Sequence, residues 1–423
     1  MRNFWKAMMA IMIGMFVLMP VHGSGGSDFD GEGKAEILIS SPWGIGILKM
    51  EGGALSAPVM AANGARFPGG WLLNTADNRF EMKDDFDGDG RAEILISSPW
   101  GIGILKMEGG ALSAPVMAAN GARFPGGWLL NTADNKFEMA DDFDGEGKAE
   151  ILISSPWGIG ILKMEGSALS APIMAANGAR FPGGWLLNTA DNKFEMADDF
   201  DGDGKAEVLV SSPWGIGILK MEGSALSAPV MAANGARFPG GWLLNTADNR
   251  FEMAADFDGD GRAEILISSP WGIGILKMEG SALSAPVMAA NGARFPGGWL
   301  LNTADNKFEM ADDFDGDGKA EILISSPWGI GILKMEGGAL SAPVMAANGD
   351  RFMGGWLLNT ADNRFEMAED FDGDGKAEIL ISSPWGIGIL KMEGGALSAP
   401  VMAANGDRFP GGWLLNTEDN RFI

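Results

Sequence analysis

Asp85-Phe-Asp-Gly-Asp-Gly-Arg-Ala-Glu-Ile-Leu-Ile-Ser-Ser-Pro-Trp-Gly101 decides how this chain is built. Asp and Gly packed into six positions make a tight turn. The Ile-Leu-Ile run that follows is apolar at every position and rich in β-branched residues, as in a strand covered on both faces. Ser-Pro-Trp-Gly turns the chain again. The same phrase starts at Asp28, Asp85, Asp142, Asp199, Asp256, Asp313 and Asp370, always 57 residues apart, with Glu in place of the third Asp at Glu32 and Glu146. A fixed period of this length is read before anything else, because it marks a repeat architecture.

Working outward through one cycle, Arg79 to Lys83 alternates as a strand, and Ala92 to Ser97 is the apolar strand. Ile102 to Met107 is a third strand after the Ser98–Gly101 turn, and Leu112 to Ala118 is a fourth. Pro115 restricts that fourth strand to a sheet edge. Asn120 to Gly127 is a longer loop, and Trp128 leads into the next copy. Four short antiparallel strands per repeat cannot bury both faces alone, but radial neighbours cover them. The expectation is an all-β, seven-bladed β-propeller of four-stranded antiparallel blades, occupying 24–423 with no second domain. A solenoid of the same units would need terminal caps with polar outer faces, and the sequence has none. The chain enters at Asp28, after the place of the first strand, and ends in Arg421-Phe-Ile423, which matches the start of that strand in other copies. The ring is therefore expected to be closed by the C-terminal strand, which removes exposed edges.

Residues 1–23 read as a secretory signal peptide: Arg2 and Lys6 precede an apolar run from Ala7 to Met19, and Val21-His22-Gly23 precedes a cut before Ser24. A secreted protein without membrane insertion is expected. The chain has no Cys, and His22 is its only histidine, so Ser-His-Asp and Cys-His catalysis cannot be assembled in the mature protein. A net charge of −25 repels phosphate backbones and excludes nucleic acid as a partner.

Three groups of residues are candidates for chemistry. Asp85, Asp87, Asp89 and Glu93, with their equivalents, stand at positions 1, 3, 5 and 9 of a cation-loop pattern, with Gly90 at the sharp turn. Hard oxygen ligands so spaced suit a structural Ca2+; a metal-free turn held by Asp side chains is the alternative. No cofactor is otherwise required. Of two Trp per repeat, Trp128 in Gly-Gly-Trp-Leu-Leu reads as core between blades. The turn residue Trp100, with Trp43, Trp157, Trp214, Trp271, Trp328 and Trp385, reads as a flat apolar ring for the C–H face of a sugar, or alternatively as packing under a loop. Polar loop residues would bond sugar hydroxyls: Arg123 with Arg66, Arg180, Arg237, Arg294, Arg351 and Arg408; Asn131 with Asn74, Asn188, Asn245, Asn302, Asn359 and Asn416; Thr132 with Thr75, Thr189, Thr246, Thr303, Thr360 and Thr417. Seven equal copies of one weak site serve avidity rather than turnover, so the chain is expected to bind glycans and not to be an enzyme. A glycosidase or lyase using carboxylates such as Asp84 and Asp85 is a rival, and a protein-binding or adhesion platform is another.

Joined together, Asp-Phe-Asp-Gly-Asp-Gly-Lys-Ala-Glu-Ile-Leu, Ser-Ser-Pro-Trp-Gly-Ile-Gly-Ile-Leu-Lys, Asn-Gly-Ala-Arg-Phe and Gly-Gly-Trp-Leu-Leu-Asn-Thr-Ala-Asp-Asn resemble the Photorhabdus-type seven-bladed propeller lectins across all seven copies. More distantly, the Asp loop is similar to integrin-type (FG-GAP-like) propeller repeats. The resemblance implies a fucose-binding lectin with pockets between adjacent blades, binding of O-methylated sugars and of fucosylated glycoconjugates, and leaves homo-oligomers open. Asp350 and Asp407 depart from the Ala of the Asn-Gly-Ala-Arg-Phe loop and Met353 from its Pro, so the pockets of copies six and seven are expected to differ.

Overall fold

The computed structural model describes residues 27–423. The signal-peptide reading and His22 lie outside them. Every described strand belongs to one of seven four-stranded antiparallel sheets, and none of the described residues is helical. In the second blade the innermost strand is Arg79–Asp84, followed by Glu93–Ser98, Gly101–Glu108 and the outer Ala111–Ala119. Pro115 sits on that outer strand, where its missing N–H costs the ladder nothing. No described helix is long and apolar enough to cross a membrane.

The apolar strand is buried from both sides. Ile94 and Ile96 face the first blade, packing with Leu38, Ile45 and Phe67, while Leu95 faces the third, with Phe86, Ile151 and Ile153. Each core therefore lies between two blades and not within one, so a lone repeat has nothing to bury against. Phe86 of the Asp loop is 1% exposed and pins that loop into the core.

The ring closes. At the junction of blades one and two, Ala92 donates its N–H to the carbonyl of Asp28 at 2.7 Å and Ala114 to that of Pro68 at 2.6 Å. At the junction of blades seven and one, Ala35 does the same to Asp370 at 2.9 Å and Ala57 to Pro410 at 2.6 Å. A shared core joins the last blade to the first, with Leu380 and Ile389 against Ile37 and Ile39. The innermost strand of blade one is supplied from both ends of the chain. Arg421–Phe422 pairs with Ile37–Ser41, and Ser27 accepts a hydrogen bond from the N–H of Glu36 at 2.9 Å, the place that Asp84 holds opposite Glu93 in blade two. Closure by the C-terminal strand is thus observed, and the solenoid is ruled out.

Candidate functional site

The two tryptophans of each repeat have opposite fates. Trp71 lies in the loop between Ala62 and Arg79 and reaches across to the next blade, where its ring rests on Gly103; a Cβ there would stand 2.9 Å from the ring. Trp128, Trp185, Trp242, Trp299, Trp356 and Trp413 repeat this on Gly160, Gly217, Gly274, Gly331, Gly388 and Gly46. Trp100 is the reverse. It stands at the tip of the Ser98–Gly101 turn with 63% of its surface in water, and its six equivalents are as open. The turn is rigid beneath it, because the Ser98 hydroxyl accepts the Trp100 N–H at 3.2 Å. Such exposure of a large ring, repeated identically, excludes packing under a loop.

Between the half-buried Trp71 and the open Trp100 lies a cleft of about 380 Å³. Blade one contributes Arg66, Gly70, Trp71, Leu72, Asn74 and Asn78, and blade two contributes Ser98, Trp100, Ile102, Met117 and Ala118–Ala119. Trp100 therefore shares its cleft with Arg66 and Asn74 of the preceding repeat, not with Arg123 and Asn131 of its own, so this site is shared by two blades. Leu72 and Met117 are also open to water and, with Trp100, give the cleft an apolar lining from both blades. Sequence reasoning missed this pair, although Met and Leu recur at fixed places in every copy. In the later repeats Arg237, Arg294, Arg351 and Arg408 donate from Nη1 to the carbonyl four residues on, at 3.1–3.5 Å, which lays the guanidinium along the cleft's own loop.

The remaining polar candidates have structural duties. Asn74 donates from Nδ2 to Asp77 at 2.6 Å and accepts the Ala76 N–H at 3.2 Å, which fixes a turn and leaves one amide hydrogen for the cleft. Thr75 is not part of the cleft lining. Its hydroxyl donates to the Ser41 carbonyl at 2.6 Å and accepts from Asn63 at 2.9 Å, while its N–H is held by Asn63 Oδ1 at 3.0 Å. Threonine thus ties the loop to the Trp43 turn of its own blade, and the same bonds recur from Thr132 to Thr417. Asp350 and Asp407 turn back to the N–H of Ala347 and Ala404, each at 2.8 Å, so these departures act locally on the loop. Met353 keeps the carbonyl contact to Ala399 that proline makes elsewhere.

The Asp loop assembles as its pattern implies, with an addition. Asp85 accepts the N–H groups of Gly88 at 2.6 Å, Asp89 at 3.1 Å and Gly90 at 2.8 Å. Glu93, 1% exposed, accepts those of Phe86 at 2.9 Å and Asp87 at 3.2 Å. One carboxylate oxygen from each of Asp85, Asp87, Asp89 and Glu93 falls within 4.8 Å of the others. Among them lies the ammonium of Lys106, which meets Asp87 closely, Asp89 at 2.5 Å and Glu93 at 3.2 Å. Burial, aided by the Asp87 carboxylate, pushes Glu93 up to about 7, and its carboxylate partners hold the Lys106 proton above the ordinary lysine range.

The central channel breaks the sevenfold rule. Asp84, Asp141, Asp198, Asp312 and Glu369 line up on the innermost strands, with Ala255 and Ser27 at the other two places. Burial raises Asp84 to about 6, and burial with the neighbouring Asp198 raises Asp141 to about 8. Lys83, which only this blade carries, approaches Glu369 at 3.8 Å. Asp84 accepts the Asp85 N–H at 2.8 Å while the Asp85 carboxylate is bound up in its own loop, so these two do not face one substrate as an acid–base pair would.

Residues 199–267 match the FG-GAP-like repeat family. No curated protein matches the sequence. Among solved structures, an Agrocybe aegerita lectin described by its specific recognition of non-reducing terminal N-acetylglucosamine is 18% identical over 92% of this chain and 94% of its own, with a TM-score of 0.60. The Photorhabdus luminescens Tc holotoxin pore is 13% identical over 82% of this chain and 16% of that one, at a TM-score of 0.43. The Pseudomonas aeruginosa periplasmic gluconolactonase is 10% identical over 92% and 98%, at 0.48. The lectin likeness shows a shared propeller fold; the other two carry no argument. The chain is thus a closed seven-bladed propeller, with a segment at 199–267 that matches the FG-GAP-like repeat family and a lectin among its structural neighbours.

Proposed function

We propose that this chain is a secreted, multivalent lectin that binds L-fucose and related O-methylated sugars in the clefts between adjacent blades, without catalysis. The observation that carries the reading is Trp100, an indole 63% open to water at the tip of a hydrogen-bonded turn, lining a cleft that Arg66 and Asn74 also line. Sugars present a C–H face to an aromatic ring and hydroxyl edges to donors and acceptors. Trp100 and its equivalents stack the ring, while Arg66 and Asn74 and their equivalents bind hydroxyls. The apolar lining of Leu72 and Met117 favours a sugar bearing a methyl group, as a 6-deoxy or O-methylated sugar does. The threonines hold the loop. Sevenfold repetition multiplies weak sites into avidity of about 10²–10⁴.

Calorimetric titration of the full chain with L-fucose, an O-methylated fucose and N-acetylglucosamine tests it. Saturable binding of several fucose molecules per chain, in the micromolar to millimolar range of shallow sites, is the expected result; that range spans about −8 to −4 kcal/mol. Binding of N-acetylglucosamine alone would keep the lectin and overturn the sugar. Silence with every sugar would turn the reading to an FG-GAP-like protein-binding platform.

A further inference from the structure

We infer that the seven Asp loops are closed by a tethered lysine ammonium standing in the place of a divalent cation, so that the propeller folds and binds independently of Ca2+. Three observations converge. The first is stoichiometric. Once Asp85 has bonded the loop's own N–H groups, three oxygens of Asp87, Asp89 and Glu93 face the Lys106 ammonium, which hydrogen-bonds the first two and ion-pairs with Glu93 at 3.2 Å. Ca2+ takes six to eight oxygens, and its position here is filled by a group that carries its own positive charge and is fixed to the strand behind.

The second is the tolerance of the loop's third acid. In copies one and three Glu32 and Glu146 replace Asp, one methylene longer. Lys49 still meets Glu32 at 2.5 Å and Asp30 at 2.5 Å, and Lys163 meets Glu146 at 2.7 Å and Glu150 at 3.4 Å. A four-carbon stem adjusts to such a change. The third is a second cation from outside. Lys148 of the next blade lies over Gly88, close enough that a Cβ there would meet its stem at 2.8 Å. Arg91 covers Gly31, and Lys34 closes the ring over Gly373. Each loop thus holds an ammonium from its own blade and lies under a basic side chain of its neighbour.

The full chain, stripped with EDTA, is titrated with CaCl2 by calorimetry and melted in EDTA and in millimolar Ca2+. No saturable heat and melting temperatures equal within about 1 °C are expected, since a ligand that does not bind the native state cannot stabilise it. Binding of several Ca2+ per chain, or a melting temperature that falls by several degrees in EDTA and returns with Ca2+, would overturn the inference. Lys106→Ala extends the test: the variant is expected to bind one Ca2+ per chain and to melt higher in its presence. A folded variant indifferent to Ca2+ would show that the ammonium does not occupy a cation's place. Should the variant fail to fold, the measurements on the unaltered chain decide alone.

Discussion

Gly103→Ala puts one methyl group beneath Trp71. The backbone there lies in an ordinary strand conformation, so the substitution carries no dihedral strain, and alanine restricts the unfolded chain, a gain of about 0.4–1 kcal/mol. Against this, the new Cβ would stand 2.9 Å and 3.2 Å from two atoms of the Trp71 ring and 3.4 Å from the Val116 carbonyl oxygen. The ring must retreat by several tenths of an ångström, and overpacking of this kind costs about 1–3 kcal/mol. The balance is a loss of about 0.5–2 kcal/mol, or about 1–4 °C in a chain this large. Trp71 also floors the cleft of blades one and two, so its displacement removes one binding site and should lower the calorimetric stoichiometry by one per chain. In a Trp71→Ala background, itself costing about 3–5 kcal/mol, the same methyl should be harmless or mildly stabilising, a non-additivity that isolates the contact. A Gly103→Ala chain that melts higher than the parent and keeps every sugar site would refute both the packing and the site.

Replacing all seven open tryptophans, from Trp43 to Trp385, with alanine should abolish sugar binding in calorimetry while each change alters stability by no more than about 0.5 kcal/mol, as exposed positions do. Deleting Arg421–Ile423 should leave Ile37–Ser41 without its inner neighbour, and size-exclusion chromatography should show association through the freed edge. The buried glutamates set a pH dependence. Glu93, Glu150, Glu207, Glu264, Glu321 and Glu378 are raised to about 7 and Glu36 to about 8, chiefly by burial. The folded state therefore holds more protons than the unfolded chain between about pH 4.5 and 8, and stability falls as pH rises through that window. Thermal melts should give a higher melting temperature at pH 5.5 than at pH 8.5, and the opposite order would refute the assignment.

The architecture was legible because its signals are local and repeated: a 57-residue period, a Gly/Asp turn before Ile-Leu-Ile, a proline confined to an outer strand. The site was legible by halves. Trp100 could be marked as a candidate ring because Ser-Ser-Pro-Trp-Gly leaves an indole on a turn, and the structure places it there open to water. Its partners could not, since Arg66 and Asn74 come from the preceding repeat, and identical copies do not say which copy supplies which wall. Thr75 was misread because a hydroxyl beside an asparagine looks the same whether it meets a sugar or the Ser41 carbonyl. Lys106 was passed over because it lies 19 residues from Asp87 and inside a mostly apolar strand. A signal was present. The basic residue at the end of the Asp loop alternates between Lys and Arg, as in Lys34 and Arg91, whereas the Lys106 position is Lys in all seven copies, as a compact three-donor point charge requires.

The contact that joins blade seven to blade one uses the same carbonyls and the same indole on glycine as every other junction, so outside the central channel these contacts do not tell a blade which neighbour is its own. A flank from a second molecule would fit as well. While the chain is being made, the open flank of blade one must wait for residues 421–423, synthesised at the opposite end of the described chain from Ser27, and any other copy nearby can take the vacancy first. The sameness that multiplies the clefts thus makes exchange of blades between molecules the characteristic way for this protein to misassemble.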